Sequence, residues 1–221
     1  MKKVAVTIVL ALLGICAFAS ENWTTNFNVG LSLPFYKVKA DIDDAEADAV
    51  IKGNGINFHL SEQIINKNNG FLFQAAIGLG GLSAEDLFEE DDIAHGFDFD
   101  GSLGLGYAFK HDKKALLTAT AVLGYDFAFF SEKMNFTSYG YTYSVTCSVT
   151  GIYFYLGAEL AGTIRLSDKA GLFASCLFAT PLGGFATVEA EYSNYSYSEK
   201  FDLKSSGYFI RPSFGVSFTI D

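Results

Sequence analysis

The chain has 221 residues and a formal net charge of −10, with 15 Lys and Arg against 25 Asp and Glu. Phosphate contacts need cations, so this balance and the absence of a basic patch exclude nucleic acid as a partner. Half of the residues are hydrophobic (50%), yet beyond the first twenty no apolar run approaches the ~20 residues of a membrane-spanning helix. A membrane location would therefore require a closed barrel, which leaves no backbone group unpaired in lipid.

Residues 1–19 read as a secretory leader. Lys2 and Lys3 give the basic start, residues 4–15 the apolar stretch, and Ala17-Phe18-Ala19 the small residues of a cleavage site. Cleavage is predicted after Ala19, which leaves residues 20–221 as one domain.

From Trp23 onward one pattern recurs eight times. Successive side chains of a strand point to opposite faces. In the first strand, residues 23–35, Trp23, Phe27, Val29, Leu31, Leu33 and Phe35 share one parity, and Thr24, Asn26, Asn28, Gly30 and Ser32 the other. An acidic link, 36–52, leads to a second strand at 53–63, where Ile56, Phe58 and Leu60 oppose Asn57, His59 and Ser61. An Asn-rich turn ending in Gly70 precedes a third strand, in which Phe71, Phe73, Ala75, Ile77 and Leu79 oppose Gln74, Ala76, Gly78 and Gly80. A second acidic link spans 83–95.

The fourth strand sets Phe97, Phe99, Leu103, Leu105 and Tyr107 against Asp98, Asp100, Ser102, Gly104 and Gly106. After a charged turn at 111–114, the fifth sets Leu117, Leu123, Tyr125, Phe127 and Phe129 against Thr118, Thr120, Gly124 and Asp126. A Tyr- and Ser-rich link, 131–150, follows. The sixth strand, 152–165, points Ile152, Phe154, Leu156, Leu160 and Ile164 outward and Tyr153, Tyr155, Glu159 and Arg165 inward. The seventh, 170–181, gives two competing faces, Leu172, Cys176 and Phe178 against Phe173 and Leu177. A last long link, 182–206, leads to the eighth strand, where Tyr208, Ile210, Phe214, Val216, Phe218 and Ile220 oppose Arg211, Ser213, Gly215 and Ser217.

Links alternate long and short, as in outer-membrane barrels with short periplasmic turns and longer surface loops. The predicted fold class is all-β, an eight-stranded antiparallel up-and-down transmembrane barrel with both termini at the periplasmic rim. The chain resembles the small eight-stranded outer-membrane barrels of the OmpX type and the barrel domain of OmpA, over residues 21–221. The resemblance rests on the strand pattern, the link asymmetry and the ending Gly215-Val216-Ser217-Phe218-Thr219-Ile220. That ending looks like the terminal-strand signal read by the barrel assembly machinery, although here it closes on Ile220-Asp221 rather than an aromatic. The resemblance implies the cell outer membrane as location and its lipid as partner.

A soluble lipocalin-like periplasmic barrel would have the opposite parity, apolar inside. The broad aromatic face suits lipid and its interfaces, and the Gly-, Ser-, Thr- and Asn-rich face suits a crowded eight-strand lumen. Candidate lumen residues are Asp98, Asp100, Asp126, Glu159, Arg165 and Arg211, with His59 and Gln74. Buried ions must pair, which predicts a structural network; a narrow small-molecule channel gated by an Arg211–Glu159 pair is the alternative. His59 and Ser61 share a face, resembling the His-x-Ser pair of the lipid A deacylase barrels, but on the lumen side, away from lipid. No catalytic residue is assigned.

The acidic links hold Asp41, Asp43, Asp44, Glu46 and Asp48, then Glu85, Asp86, Glu89, Glu90, Asp91 and Asp92. The first run lacks the central Gly and terminal Glu of a calcium loop, having Ala45 and Ala47, and both runs read as solvated surface, with no metal or cofactor expected. Tyr139, Tyr141 and Tyr143, then Tyr192, Tyr195 and Tyr197, recur at or near every second residue among Ser, Thr and Gly. Tyr with Ser and Gly makes adaptable contact surface, and the period of two also fits strands that continue above the membrane. These tyrosines are the candidate contacts to an extracellular ligand. Cys147 and Cys176 are predicted to be free thiols, because the hairpin register keeps them far apart.

Overall fold

The computed structural model describes residues 22–41, 49–85, 87–88, 93–112, 114–138, 141–192 and 195–220. The predicted leader lies outside them. Among the described residues there are nine strands: β1 (Trp23–Ser32), β2 (Phe35–Asp41), β3 (Ala49–Asn66), β4 (Phe71–Glu85), β5 (Ile93–His111), β6 (Ala115–Ser138), β7 (Tyr141–Arg165), β8 (Ala170–Tyr192) and β9 (Tyr195–Ile220). All pairings are antiparallel, and the ring closes where β1 meets β9, from Thr25↔Ile220 to Ser32↔Ser213.

The wall has eight positions, because β1 and β2 are two halves of one strand. Both lie between β3 and β9. The interruption is Leu33-Pro34. Proline has no N–H for the ladder, and the pairing steps around it: Leu33 N donates to the Pro212 carbonyl and Gly55 N to the Pro34 carbonyl, each at 2.9 Å.

The apolar parity faces out. Phe58, Leu103, Phe109, Leu123, Leu156 and Phe214 are exposed, whereas the Thr, Asn, Gln, Asp and Glu of the other parity are buried. An aqueous exterior would drive the reverse arrangement; lipid accounts for this one. The outward face changes character at a sharp level. On β6 it passes from Phe129 to Ser131, and on β7 from Ile152 to Thr150, while Phe129 pairs with Thr150. On β5 the change is from Phe97 to His95, and on β2 from Phe35 to Lys37. On β7 the belt runs from Ile152 to Ile164, roughly 25 Å tall for strands tilted ~45°.

Three expectations need correction. The links 36–52, 131–150 and 182–206 are largely strand. β6, β7, β8 and β9 have 24, 25, 23 and 26 residues, against the ~9–11 needed to cross a membrane. Their ends stand above the belt as a sheet that runs to Ser138↔Tyr141 at one tip and Tyr192↔Tyr195 at the other. The two faces that compete on β8 are both apolar, one filling the lumen and one facing out, and a register shift follows them between Ala179 and Gly184. Before it, Phe173 and Leu177 point inward and Leu172 and Phe178 outward; after it, the inward parity is that of Ala186. Gly183 and Gly207 supply the positive φ of 127° and 137° that this irregularity requires.

Candidate functional site

The lumen is filled in layers. At the rim of the short turns, Ile65, Leu72, Ala108 and Leu116 form an apolar plug. Above it lies an amide and hydroxyl layer. Gln63 Nε2 donates to Gln74 Oε1 at 3.1 Å and to Thr118 Oγ1 at 3.4 Å. Thr120 Oγ1 donates to the same Gln74 oxygen at 3.2 Å, and Gln74 Nε2 donates to Glu159 Oε2 at 3.0 Å. On the adjoining wall Asn28 Nδ2 donates to Ser61 Oγ at 3.2 Å and Thr219 Oγ1 to Asn26 Oδ1 at 2.8 Å.

The charged layer comes next. The Arg211 guanidinium on β9 is ion-paired with the Asp100 carboxylate on β5, both side chains 1% exposed. Asn57 donates to Asp98, and Asp126 lies directly opposite Asp100 on the neighbouring strand. Glycines at inward positions make this crowding possible. A Cβ on Gly78 would collide with the Asp100 carboxylate, and one on Gly124 with the Tyr155 ring.

Toward the outer mouth the filling becomes aromatic. Tyr153, Tyr155 and Phe209 stack with ring centroids 5.0 to 6.3 Å apart. Val38, Leu82, Phe130, Val149 and Leu203 continue this core, and Leu87 and Phe88 of the second link pack against it. A cavity of about 40 Å³ is left beneath them.

The predicted lumen residues thus separate. Asp98, Asp100, Asp126 and Arg211 gather in one layer, and Glu159 belongs to the amide layer below. The expected Arg211–Glu159 pair is not formed; Arg211 takes Asp100 and Glu159 takes Gln74. Arg165 stands at the turn-side rim, where its Nε and Nη2 have no hydrogen-bond partner among the described residues. His59 and Ser61 are both buried but form no pair: His59 lies 6.2 Å from the Phe173 ring, its ring nitrogens without hydrogen-bond partners among the described residues, and Ser61 accepts from Asn28. Cys147 and Cys176 are free thiols, as expected; Cys147 pairs with Ala190 near the top of β7, whereas Cys176 pairs with Leu160 far below. Among the described residues no cluster of His, Cys, Asp or Glu could hold a metal ion.

The projecting sheet forms the second candidate surface, with its strands in the order β6-β7-β8-β9. Its two faces differ in chemistry. Tyr141 and Tyr143 share the parity of the buried Val149 and Tyr153 on β7. Phe136 pairs with Tyr143, and Tyr192, Tyr195 and Tyr197 lie on the same side through the pairs Tyr192↔Tyr195 and Ala190↔Tyr197. The aromatics therefore continue the inner wall of the barrel upward, with Tyr143 and Tyr192 in edge contact at 5.8 Å. The opposite face is Ser, Thr, Asn, Lys and Glu, tied by bonds such as Ser144 Oγ to Asn135 Oδ1 at 2.6 Å. Tyr141, Tyr195 and Tyr197 are exposed; Tyr139 lies outside the described residues, as do Asp43, Asp44, Glu46 and Asp48 of the first acidic link and Asp86, Glu89, Glu90, Asp91 and Asp92 of the second.

One residue escaped the sequence reading. Glu62 occupies the outward parity of β3, in line with Phe58, Leu60 and Ile64, yet it is only 3% exposed. The signal was present: an acid stands in an otherwise apolar column.

This architecture defines the class, a transmembrane β-barrel with a filled lumen and one raised wall. Its fold is similar to that of a major outer membrane protein from Thermus thermophilus, at a TM-score of 0.55 and 10% identity over 86% of this chain and 99% of that one. The outer membrane protease OmpT from Escherichia coli (TM-score 0.46, 9% identity, 91% and 98% covered) and Ail, the attachment invasion locus protein of Yersinia pestis (0.36, 14%, 91% and 100%), are also matched. Neither a protein-family model nor a curated protein matches the chain. At these identities the likeness is one of fold: the chain has the fold of the outer-membrane β-barrels.

Proposed function

We propose that this is a non-catalytic, surface-exposed protein of the cell outer membrane, whose raised sheet contacts an extracellular ligand through its tyrosine face. In this reading the chain is exported with loss of residues 1–19 and is inserted by the barrel assembly machinery through its terminal strand. The observation that carries the proposal is the placement of Tyr141, Tyr143, Tyr192, Tyr195 and Tyr197 on one side of a sheet standing above the lipid belt. Folding alone gives no reason to display them there: a sheet in water hides its apolar face, and tyrosine is a rigid contact residue that loses little entropy on binding. The filled lumen speaks against solute passage, since an eight-stranded interior is just wide enough for side chains to occupy. The separation of His59 from Ser61 in the buried lumen speaks against hydrolysis, which needs a base beside its nucleophile.

The test is adherence of cells displaying the protein to mammalian monolayers and to immobilised extracellular-matrix protein. Tyr143→Ser combined with Tyr197→Ser should reduce adherence to that of cells lacking the protein, at equal surface level. Equal adherence of wild type and variant would overturn the proposal. Protease shaving at a tag inserted between Ser138 and Tyr139 fixes the orientation independently.

A further inference from the structure

The raised sheet is open along its margins. Above Gly96↔Phe130 no strand among the described residues pairs with β6 on its β5 side. Above Asp41↔Asp202 none pairs with β9 on its β2 side. Residues 195–201 of β9 therefore hydrogen-bond to β8 alone among the described strands. Their other side is a row of free N–H and C=O groups, a template for a further strand. The usual defences are thin here: residues 195–201 contain no proline and no register shift, with Lys200 as the one cation.

We infer that this β9 edge pairs antiparallel with the β9 edge of a second copy of the chain, carried by a facing cell. The occupant follows from the sequence of the edge, which is complementary to itself. A two-fold axis through the sheet at Ser198 uses the whole of 195–201. Tyr195 then faces the second copy's Phe201, Ser196 its Lys200 and Tyr197 its Glu199, while Ser198 faces its own counterpart. No like charges meet, and each charged side chain has a hydroxyl opposite. Tyr197 already donates to Glu199 within one copy, so the two groups suit each other across the seam. An axis at Glu199 or at Lys200 would set that charge against itself. On the β6 edge, an axis at Met134, midway along 131–137, would set Glu132 against Phe136. The pairing at Ser198 also joins the two tyrosine faces into one, because a two-fold axis normal to the sheet keeps its faces. Direction supplies the facing cell. β9 descends from the raised tip to the membrane, and a copy in the same membrane descends beside it. Parallel pairing with that copy would join its polar face to the tyrosine face. The inference rests on the proposed surface exposure of the sheet, and not on a host ligand for its tyrosines.

Mixed clumping of cells that display the full protein, labelled in two fluorescent colours, tests this. Wild-type cells should clump across colours, since many weak seams add up between two surfaces, and cells lacking the protein should stay dispersed. Tyr197→Glu opposes an acid to Glu199 of the other copy and should reduce clumping to that of cells lacking the protein. Mixing Tyr197→Glu cells with Glu199→Lys cells should restore it. In a Cys147→Ser background, Ser198→Cys should yield a disulfide-linked dimer. Directly opposed residues have Cα atoms about 4.5–5.5 Å apart, within bridging reach. Ser196→Cys, displaced along the seam from its counterpart, should not link. Shaving at the tag between Ser138 and Tyr139 should be equal in every variant. A protected tag in the wild type would defeat the surface reading itself. With the tag cleaved, dispersed wild-type cells, clumping that survives Tyr197→Glu, or equal linkage at positions 196 and 198 would overturn the inference alone.

Discussion

Asp100 on β5 and Arg211 on β9 meet across the lumen, so one ion pair ties opposite walls of the barrel together. Between them in chain order lie β6, β7 and β8, and both partners are closed off from either mouth by apolar layers. Such a pair adds little over a well-packed apolar replacement, but breaking it strands an ion.

Arg211→Met and Asp100→Asn should each destabilise the barrel by about 3–5 kcal/mol, and Arg211→Met combined with Asp100→Leu should recover most of that loss. Urea unfolding in lipid vesicles, followed by the fluorescence of the single tryptophan, Trp23, measures all three. Additive losses in the double variant would refute the tie.

Planar bilayers provide a second check. The wild type should show no steady conductance, and Arg211→Ala alone should not open a path, because Leu116 and Ile65 still block one end and Tyr155 and Phe209 the other. A reproducible open state in either protein would mean that the filling yields.

The two left-handed glycines of the β8–β9 irregularity predict unequal costs. Gly207→Ala combines a φ of 137° with a collision against the Lys37 backbone and should cost ~3 kcal/mol, while Gly183→Ala meets nothing closer than 3.4 Å and should cost ~1 kcal/mol for strain alone. Equal losses would contradict the close approach.

Cys147 and Cys176 report topology without mutagenesis. Cys147 stands above the belt and Cys176 within it, so a membrane-impermeant maleimide applied to intact cells should label Cys147 and spare Cys176. Labelling of Cys176, or protection of Cys147 until the cells are permeabilised, would invert the proposed arrangement.

Much of this was legible in the chain because a strand writes its two faces into alternate residues. Phe27 and Asn28, Phe99 and Asp100, Phe214 and Ser213 could be assigned outward and inward from that rule. The Pro34 interruption and the β8 shift were not legible, because a local parity count cannot see where a neighbouring strand absorbs extra residues. Leu172 and Phe173 competed for another reason: the lumen takes large apolar side chains at Phe173 and Leu177, so both faces of that stretch are apolar. Arg211 was found but mispaired with Glu159. Which lumen groups meet depends on the stagger of strands around the ring, and no single strand records it. The tall hairpins were foreshadowed by the spacing of Tyr141, Tyr143, Tyr195 and Tyr197, although the intervening Ser and Thr made them read as links.

The hydrogen bond from Thr24 Oγ1 to the Ile220 carbonyl spans 196 residues, nearly the whole described chain. The first strand cannot be shielded until the last has been made, so every incomplete barrel carries two raw edges. Such edges are unsustainable in lipid and adhesive in water. Seven-eighths of this protein is therefore no stable fragment. A chain cut short within β9 is an aggregation hazard rather than a smaller barrel, and during biogenesis something else must guard the β1 edge until Ile220 arrives.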